Sequence, residues 1–223
     1  MKNAAVLWTG GKDSALALYE AEHLGYNIQS LVTFVPEVSE FLAHPLVLMK
    51  YQADALNLPH YPVIIHEPFR ESYEEAIAAL KEKDGIETLV TGDIADVDGY
   101  PNWIRQCSER SGMEVLTPLW HRDRLSLLER LLAVHYKVVF SCVKKPWLTD
   151  EWLGRELDQD AIVKLSELHH VNGLDICGEQ GEYHTLVLDG PSFTKRIQID
   201  AFDHSVKDDQ ITMVLHKTVL EEK

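Results

Sequence analysis

Cysteine is scarce in this sequence, and none of it is paired. Cys107, Cys142 and Cys177 lie far apart and form no CxxC spacing, which excludes a disulfide framework and a zinc knuckle and fits a reducing compartment. Long apolar runs are missing too. No stretch approaches the ~18 consecutive apolar residues of a membrane-spanning helix. The opening MKNAAVLWTGG has too short an apolar segment, and no cleavage-like pattern, for a secretory leader. A cytoplasmic chain with no membrane partner is expected. Basic clusters are equally thin: 21 Lys and Arg stand against 36 Asp and Glu, a formal net charge of −15. The basic spots are short, as at Lys144-Lys145. Such a surface repels a nucleic-acid backbone, whose binding depends on neutralising phosphates, so a nucleic-acid partner is disfavoured. There is no internal repeat, low-complexity tract or long linker.

What is present is a regular alternation. Strand-like runs at 4–8, 28–35, 61–66, 88–93 and 114–120 are separated by helix-like stretches at 13–24, 46–57, 71–83 and 103–112. Strands joined by helices of that length need crossover connections, hence an α/β fold with a parallel sheet and helices on both faces. Ligands in such sheets bind beyond the carboxyl ends of the strands, so the segments after Trp8, Val35 and Thr91 are the first places to look. Past Trp120 the pattern changes. A helix over 124–136 leads into a strand over 137–143. Two further strand-like runs then flank Asp189-Gly190-Pro191, a turn signal, and a third covers 210–219. The expected organisation is a nucleotide-binding domain over 1–120 and a smaller C-terminal α+β domain over 121–223 with antiparallel strands. An exposed strand of that small sheet offers a surface for homo-oligomer formation.

The stretch LWTGGKDSALA, residues 7–17, carries the sharpest chemical signal. Gly10 and Gly11 let the backbone turn tightly and approach a ligand. A helix starting near Asp13 aims its N–H groups and positive dipole end at that turn. Lys12 adds a point charge, and Thr9 and Ser14 add hydroxyls. Asp13 is sensible beside phosphate if Mg²⁺ bridges the two. The alternative is a plain strand-to-helix turn in which Ser or Asp caps the helix. Neither the Walker A pattern nor GxGxxG is present.

TGGKDSALAL resembles the PP-loop, the SGGxDS signature of the ATP pyrophosphatase superfamily, with Thr9 where Ser is usual. The Gly-Gly-Lys-Asp-Ser form is similar to that of the diphthine–ammonia ligase family. Two later stretches strengthen the match in the same order: TGDIADVDGYPNWIRQCSERSGMEVLTPLW (91–120) and CGEQGEYHTLVLDGPSF (177–193). The resemblance covers nearly the whole chain. It implies an adenine nucleotide alpha hydrolase-like fold and ATP with Mg²⁺. It further implies cleavage of ATP between the α and β phosphates to AMP and pyrophosphate, adenylation of a carboxylate, and amide formation with ammonia. It assigns Thr9, Gly10, Gly11, Lys12, Asp13 and Ser14 to the phosphates, with Asp13 as metal contact. Gly92 and Asp93 follow an expected strand and so stand at the crevice of the sheet, as nucleotide-binding candidates, with Asp93 placed to orient Mg²⁺ or the ribose. Adenine is expected near Thr33 to Val35. Glu179, Glu182 and His184 join Lys12 and Asp13 as catalytic candidates: the carboxylates would bind ammonium, accept its proton or hold a cationic substrate, and His184 is a second proton-transfer group.

The bland readings stand beside these. Asp93 could cap the next helix, and turn carboxylates are commonly solvated. In the second stretch the chain departs from the family pattern. ADVDGYPNWIRQC stands where Ser-x-Tyr-Gln-Arg is usual, leaving Arg105 as the remnant and pointing to a bacterial-type branch. The acceptor is therefore either the diphthine of an elongation factor or a small acid such as a corrinoid. Sulfur transfer to tRNA and a non-catalytic nucleotide sensor are the other readings. His169-His170 reads as a helix end, Glu71 to Glu82 as a wet helix face, and the cysteines and Trp103, Trp120, Trp147 and Trp152 as packing.

Overall fold

The expected alternation produces a five-stranded parallel sheet. β1 (Asn3–Leu7), β2 (Asn27–Pro36), β3 (His60–Ile65), β4 (Thr88–Val90) and β5 (Glu114–Leu116) lie in the order β3-β2-β1-β4-β5. The computed structural model describes residues 1–37, 45–96 and 101–223. Residues 97–100, part of the divergent second stretch, lie outside the described residues.

The order is informative. From β1 the chain steps outward to β2 and β3, then returns past β1 to β4 and β5, so the direction of winding reverses between β1 and β4. A sheet of this kind opens its crevice at such a reversal, beyond the carboxyl ends of the strands. β1 is the central strand, and Ala4, Ala5 and Val6 are fully buried there. On one face Ile77 and Leu80 of α3 (Phe69–Asp84) and Cys107 of α4 (Trp103–Ser108) pack with Ala5, Val32 and Leu89. Right-handed crossovers put α1 (Lys12–His23) on the other face.

Three elements are shorter than the sequence pattern suggests, for local reasons. β4 stops at Val90 rather than Asp93, where the Thr91 hydroxyl donates to Asp93 Oδ2 (2.7 Å) and accepts from the Asp93 amide (3.4 Å), a local turn in place of the ladder. β5 stops at Leu116 rather than Trp120: Pro118 has no N–H to donate, and the Trp120 amide donates instead to the Thr117 carbonyl (3.2 Å). α4 ends at Ser108, where the Ser111 hydroxyl donates to the Ser108 carbonyl (3.1 Å) and accepts from the Met113 amide (3.2 Å). Side-chain bonds of that kind compete with helix propagation.

Two compact units divide the chain: Met1–Thr9, Asp13–Glu40 and Leu58–His121 form the first, and Gly10–Lys12, Phe41–Asn57 and Arg122–Lys223 the second. α2 (Leu46–Leu56) therefore belongs with the second unit. The second unit also contains α5 (Arg124–Ala133), β6 (Lys137–Lys144), a short 3₁₀ turn (Asp150–Trp152), α6 (Gln159–Asn172), β7 (Tyr183–Asp189), β8 (Lys195–Lys207) and β9 (Gln210–Glu222). Its sheet is antiparallel, in the order β7-β6-β9-β8. The sequence pattern gave only the end of α6, at His169-His170. Its beginning is fixed by Asp158, whose side chain accepts from the Ala161 amide (2.8 Å). No helix among the described residues is long and apolar enough to cross a membrane.

Candidate functional site

Within the first unit, the loops after β1 and β4 meet at the reversal point. Thr9, just past β1, donates its hydroxyl to the Ser14 hydroxyl oxygen (3.3 Å) in the first turn of α1. Ser14 is buried and Asp13 half-buried. Gly92 rests directly on that first turn. A Cβ at position 92 would lie 2.6 Å from the Asp13 carbonyl carbon and 2.7 Å from the Ser14 nitrogen. Only glycine allows two backbones so close. The neighbouring Asp93 is held by its own loop: its Oδ2 accepts from the Thr91 hydroxyl (2.7 Å) and from the Asn102 side-chain amide. Asn102 in turn caps α4, its Oδ1 accepting from the Arg105 amide (2.9 Å).

The neighbouring Thr33 also stands at this end of the sheet. Its hydroxyl donates to the Trp8 carbonyl (2.6 Å), which leaves its oxygen to accept from Nε2–H of His60 (2.7 Å). Burial pulls the His60 pKa below its ordinary value. β1 pairs with β2 as far as Leu7 and Val32, while β2 runs on to Pro36. The residues expected near adenine, Thr33 to Val35, therefore lie past the end of the central strand.

Within the second unit, residues 10–12 are stitched to β7 with a two-residue period. The Gly10 carbonyl accepts from the Val187 amide (2.9 Å), and the Lys12 amide donates to the Thr185 hydroxyl (3.1 Å). Gln52 of α2 closes the same seam. Its Nε2 donates both to the Gly10 carbonyl (2.8 Å) and to the Val187 carbonyl (2.8 Å), and the side chain is fully buried. Gly10 has φ +76, and a Cβ there would lie 2.5 Å from Gln52 Oε1. Lys12 is buried as well. Its Nζ donates to the Cys177 carbonyl and stands 5.2 Å from the centroid of the Tyr183 ring, a cation–π contact.

The segment 175–184 is knitted by carboxylates. Glu182, only 3% exposed, accepts from the Asp175 amide on one oxygen (3.0 Å) and from the Gln180 amide on the other (3.0 Å). Asp175 accepts from the Cys177 amide (2.8 Å) and from Arg124 Nε (3.0 Å). The Tyr183 hydroxyl donates to the Ile176 carbonyl (2.6 Å). Glu179 is half-buried within electrostatic range of Arg124. His184 is half-buried on β7 opposite Cys142.

The candidate residues thus fall into two bonded groups. Thr9, Asp13, Ser14, Gly92 and Asp93 come together in the first unit; Gly10, Gly11, Lys12, Glu179, Glu182 and His184 belong to the second. Sequence reasoning missed Gln52, Thr185, Tyr183 and Asn102. The first three belong to the second bonded group and Asn102 to the first. Gln52 carried one signal, a polar side chain on the apolar face of a helix.

The sequence TGGKDS between the first strand and the first helix, with Thr9, Asp13 and Ser14 at the reversal point of a parallel sheet, defines a PP-loop protein. Comparison with known proteins narrows the class. Residues 1–115 match the family model of the diphthamide synthase N-terminal domain, and residues 123–220 that of the diphthamide synthase C-terminal domain. The chain belongs to the diphthamide synthase family and is an enzyme of the ligase class. Among curated relatives, the diphthine–ammonia ligases of Mus musculus and Homo sapiens are 29% and 28% identical, each alignment covering 88% of this chain and 82% of the relative. A solved structure described as a predicted subunit of tRNA methyltransferase, from Methanocaldococcus jannaschii, is 19% identical. It covers 85% of this chain and 98% of that one with a TM-score of 0.48, a superposition too loose to carry an argument.

Proposed function

We propose that this chain is an ATP-dependent amide ligase that adenylates a carboxylate and passes the acyl group to ammonia. The observation that carries the proposal is the position of TGGKDS. Thr9, Asp13 and Ser14 lie at the reversal point between β1 and β4, with Gly92 pressed on the Asp13 and Ser14 backbone. This is where an α/β sheet receives a nucleotide and where a helix start favours an anion.

Thr9, Gly10, Gly11, Lys12, Asp13 and Ser14 hold the β and γ phosphates in this reading. A carboxylate oxygen of the acceptor attacks the α-phosphorus. The α,β bridging bond breaks, and pyrophosphate leaves with the electron pair. Charge grows on the departing oxygens, so donors already aimed there favour the transition state over bound ATP. Ammonia then attacks the acyl carbon, AMP leaves, and Glu179 or His184 takes the proton released from nitrogen. Glu182, with both oxygens on backbone amides, acts through the loop it braces.

The donor set fits Mg²⁺ shared with ATP. Such an ion needs one or two protein carboxylates, the remaining ligands being phosphate and water. Asp13 supplies one at the turn and Asp93 stands next to Gly92. No group of three or more metal-ligating side chains occurs among the described residues. When bound, the ion would neutralise the pyrophosphate as it leaves. Adenine lies along Thr33 to Val35 past the end of β1.

The names of the curated relatives favour the diphthine of an elongation factor as acceptor; a small acid such as a corrinoid is the other candidate. The chain works in the cytoplasm. The test is product analysis with MgATP, ammonium and each acceptor. AMP and pyrophosphate are expected only when acceptor and ammonium are both present, and Asp13→Ala should lower turnover by at least about 100-fold. Turnover to ADP and orthophosphate would refute the proposal.

A further inference from the structure

A continuous series of contacts in the first unit runs from α1 to an arginine that the phosphate reading does not use. Gly92 rests on Asp13 and Ser14, Asp93 accepts from the Asn102 side chain, and Asn102 accepts from the Arg105 amide. The Arg105 side chain is itself fixed at two points. Its Nη2 donates to the Thr117 hydroxyl just past β5, and its guanidinium carbon stands 5.5 Å from the centroid of the Trp120 ring. Trp120 stacks in turn on His121, with centroids 5.1 Å apart and planes 23° from parallel.

Arg105 is exposed, and among the described residues no carboxylate pairs with it. That is unusual in a chain with 36 acidic and 21 basic residues. Arg70, Arg110, Arg124, Arg155 and Arg196 each have an acidic partner. A guanidinium has five N–H donors, and Thr117 uses one. Held flat over an indole, its fork is pre-organised and loses little rotamer freedom on gripping a planar anion.

We propose that Arg105, on its Trp120 and Thr117 support, binds the carboxylate of the acceptor. The inference rests on the ligase reading above and names the group that holds the acid in it. Distance separates this role from phosphate binding. β5 lies two strands from β1, about 10 Å at ordinary strand spacing. That spacing sets the Thr117 support apart from the first turn of α1 at Asp13 and Ser14, and leaves room within the first unit for a second substrate beside a nucleotide held there. The carboxylate of diphthine sits on a carbon that also bears a trimethylammonium group, so trimethylglycine is a minimal probe.

The test follows the Arg105 Nε–H resonance of the full chain, assigned by its loss in Arg105→Lys. Trimethylglycine, acetate and orthophosphate are titrated with and without MgATP, and MgATP affinity is measured by calorimetry. Both carboxylates should shift the resonance saturably and orthophosphate should do so less. Arg105→Gln should bind MgATP within about twofold of the unaltered protein and lose the tryptophan fluorescence response to trimethylglycine. Arg105→Lys, which keeps the charge but not the fork, should retain a weakened response. No shift with either carboxylate overturns the proposal. So does a stronger shift with orthophosphate joined to a tenfold loss of MgATP affinity in Arg105→Gln, which assigns the guanidinium to the nucleotide. Failure of the unaltered protein to bind MgATP, with the carboxylate shift intact, removes the ligase reading and supports the carboxylate site.

Discussion

Gly92 and Glu182 both act on backbone: the first lets the opening turn of α1 come close, and the second holds two amides. Gly92 reads in the sequence as a residue that lets a ligand approach, and in the structure it lets a helix approach. Gly92→Ala puts a methyl 2.6 Å from the Asp13 carbonyl carbon. We expect a loss of about 1–3 kcal/mol in urea unfolding, with weakened MgATP binding because the first turn of α1 must move. Glu182 reads as a catalytic carboxylate, yet both its oxygens hold backbone amides inside the second unit. Glu182→Gln sets an amide N–H against one of those donors and should cost about 1–3 kcal/mol. The pH–rate profile should keep its shape. Loss of its acidic limb would instead make Glu182 the proton acceptor. Neither role was legible locally, because the partners of Gly92 lie far away in sequence at Asp13 and Ser14, and an irregular loop has no periodicity to read.

At the scale of elements, apolar periodicity placed the strands and helices of the parallel sheet well, since one face of each is buried and the repeat records it. It failed where a single side chain overrides the repeat, as Ser111 does at the end of α4 and Pro118 does after β5. It also gave no hint that α2 contributes Gln52 to the seam between Gly10 and β7. Gln52→Leu leaves the Val187 carbonyl without its side-chain donor and should destabilise by about 1–3 kcal/mol; MgATP affinity should fall with it, read by calorimetry on the folded fraction. His60 gives β3 a pH signature. Burial lowers its folded-state pKa, so the unfolded chain takes up the proton first as pH falls through about 6.5. Its stabilising share is whole above that pH and is lost as pH drops toward the folded-state value. Urea midpoints between pH 7.5 and 5 should fall less steeply in His60→Gln, which keeps an N–H for Thr33.

For the whole molecule, the net charge of −15 disfavours a phosphate-backbone partner and leaves attraction of an acidic substrate to local groups, which in the readings proposed above are Lys12 and Arg105. A nucleotide that binds the folded chain stabilises it by mass action. MgATP at a hundredfold excess over its Kd should add about 2.7 kcal/mol, a rise in melting temperature of about 5 °C or more for a chain of this size. An unchanged melting curve would count against nucleotide binding altogether. The seam between Gly10, Lys12 and β7 has a consequence for engineering. Its contacts repeat every second residue on both sides, Gly10 with Val187 and Lys12 with Thr185, so it works like a zip with fixed teeth. Inserting or deleting one residue within either stretch would bring Leu186 or His184 where the threonine hydroxyl must be. Grafting the glycine turn alone onto another scaffold would therefore transfer a flexible bend, and only a graft that carries β7 as well would transfer the shaped one.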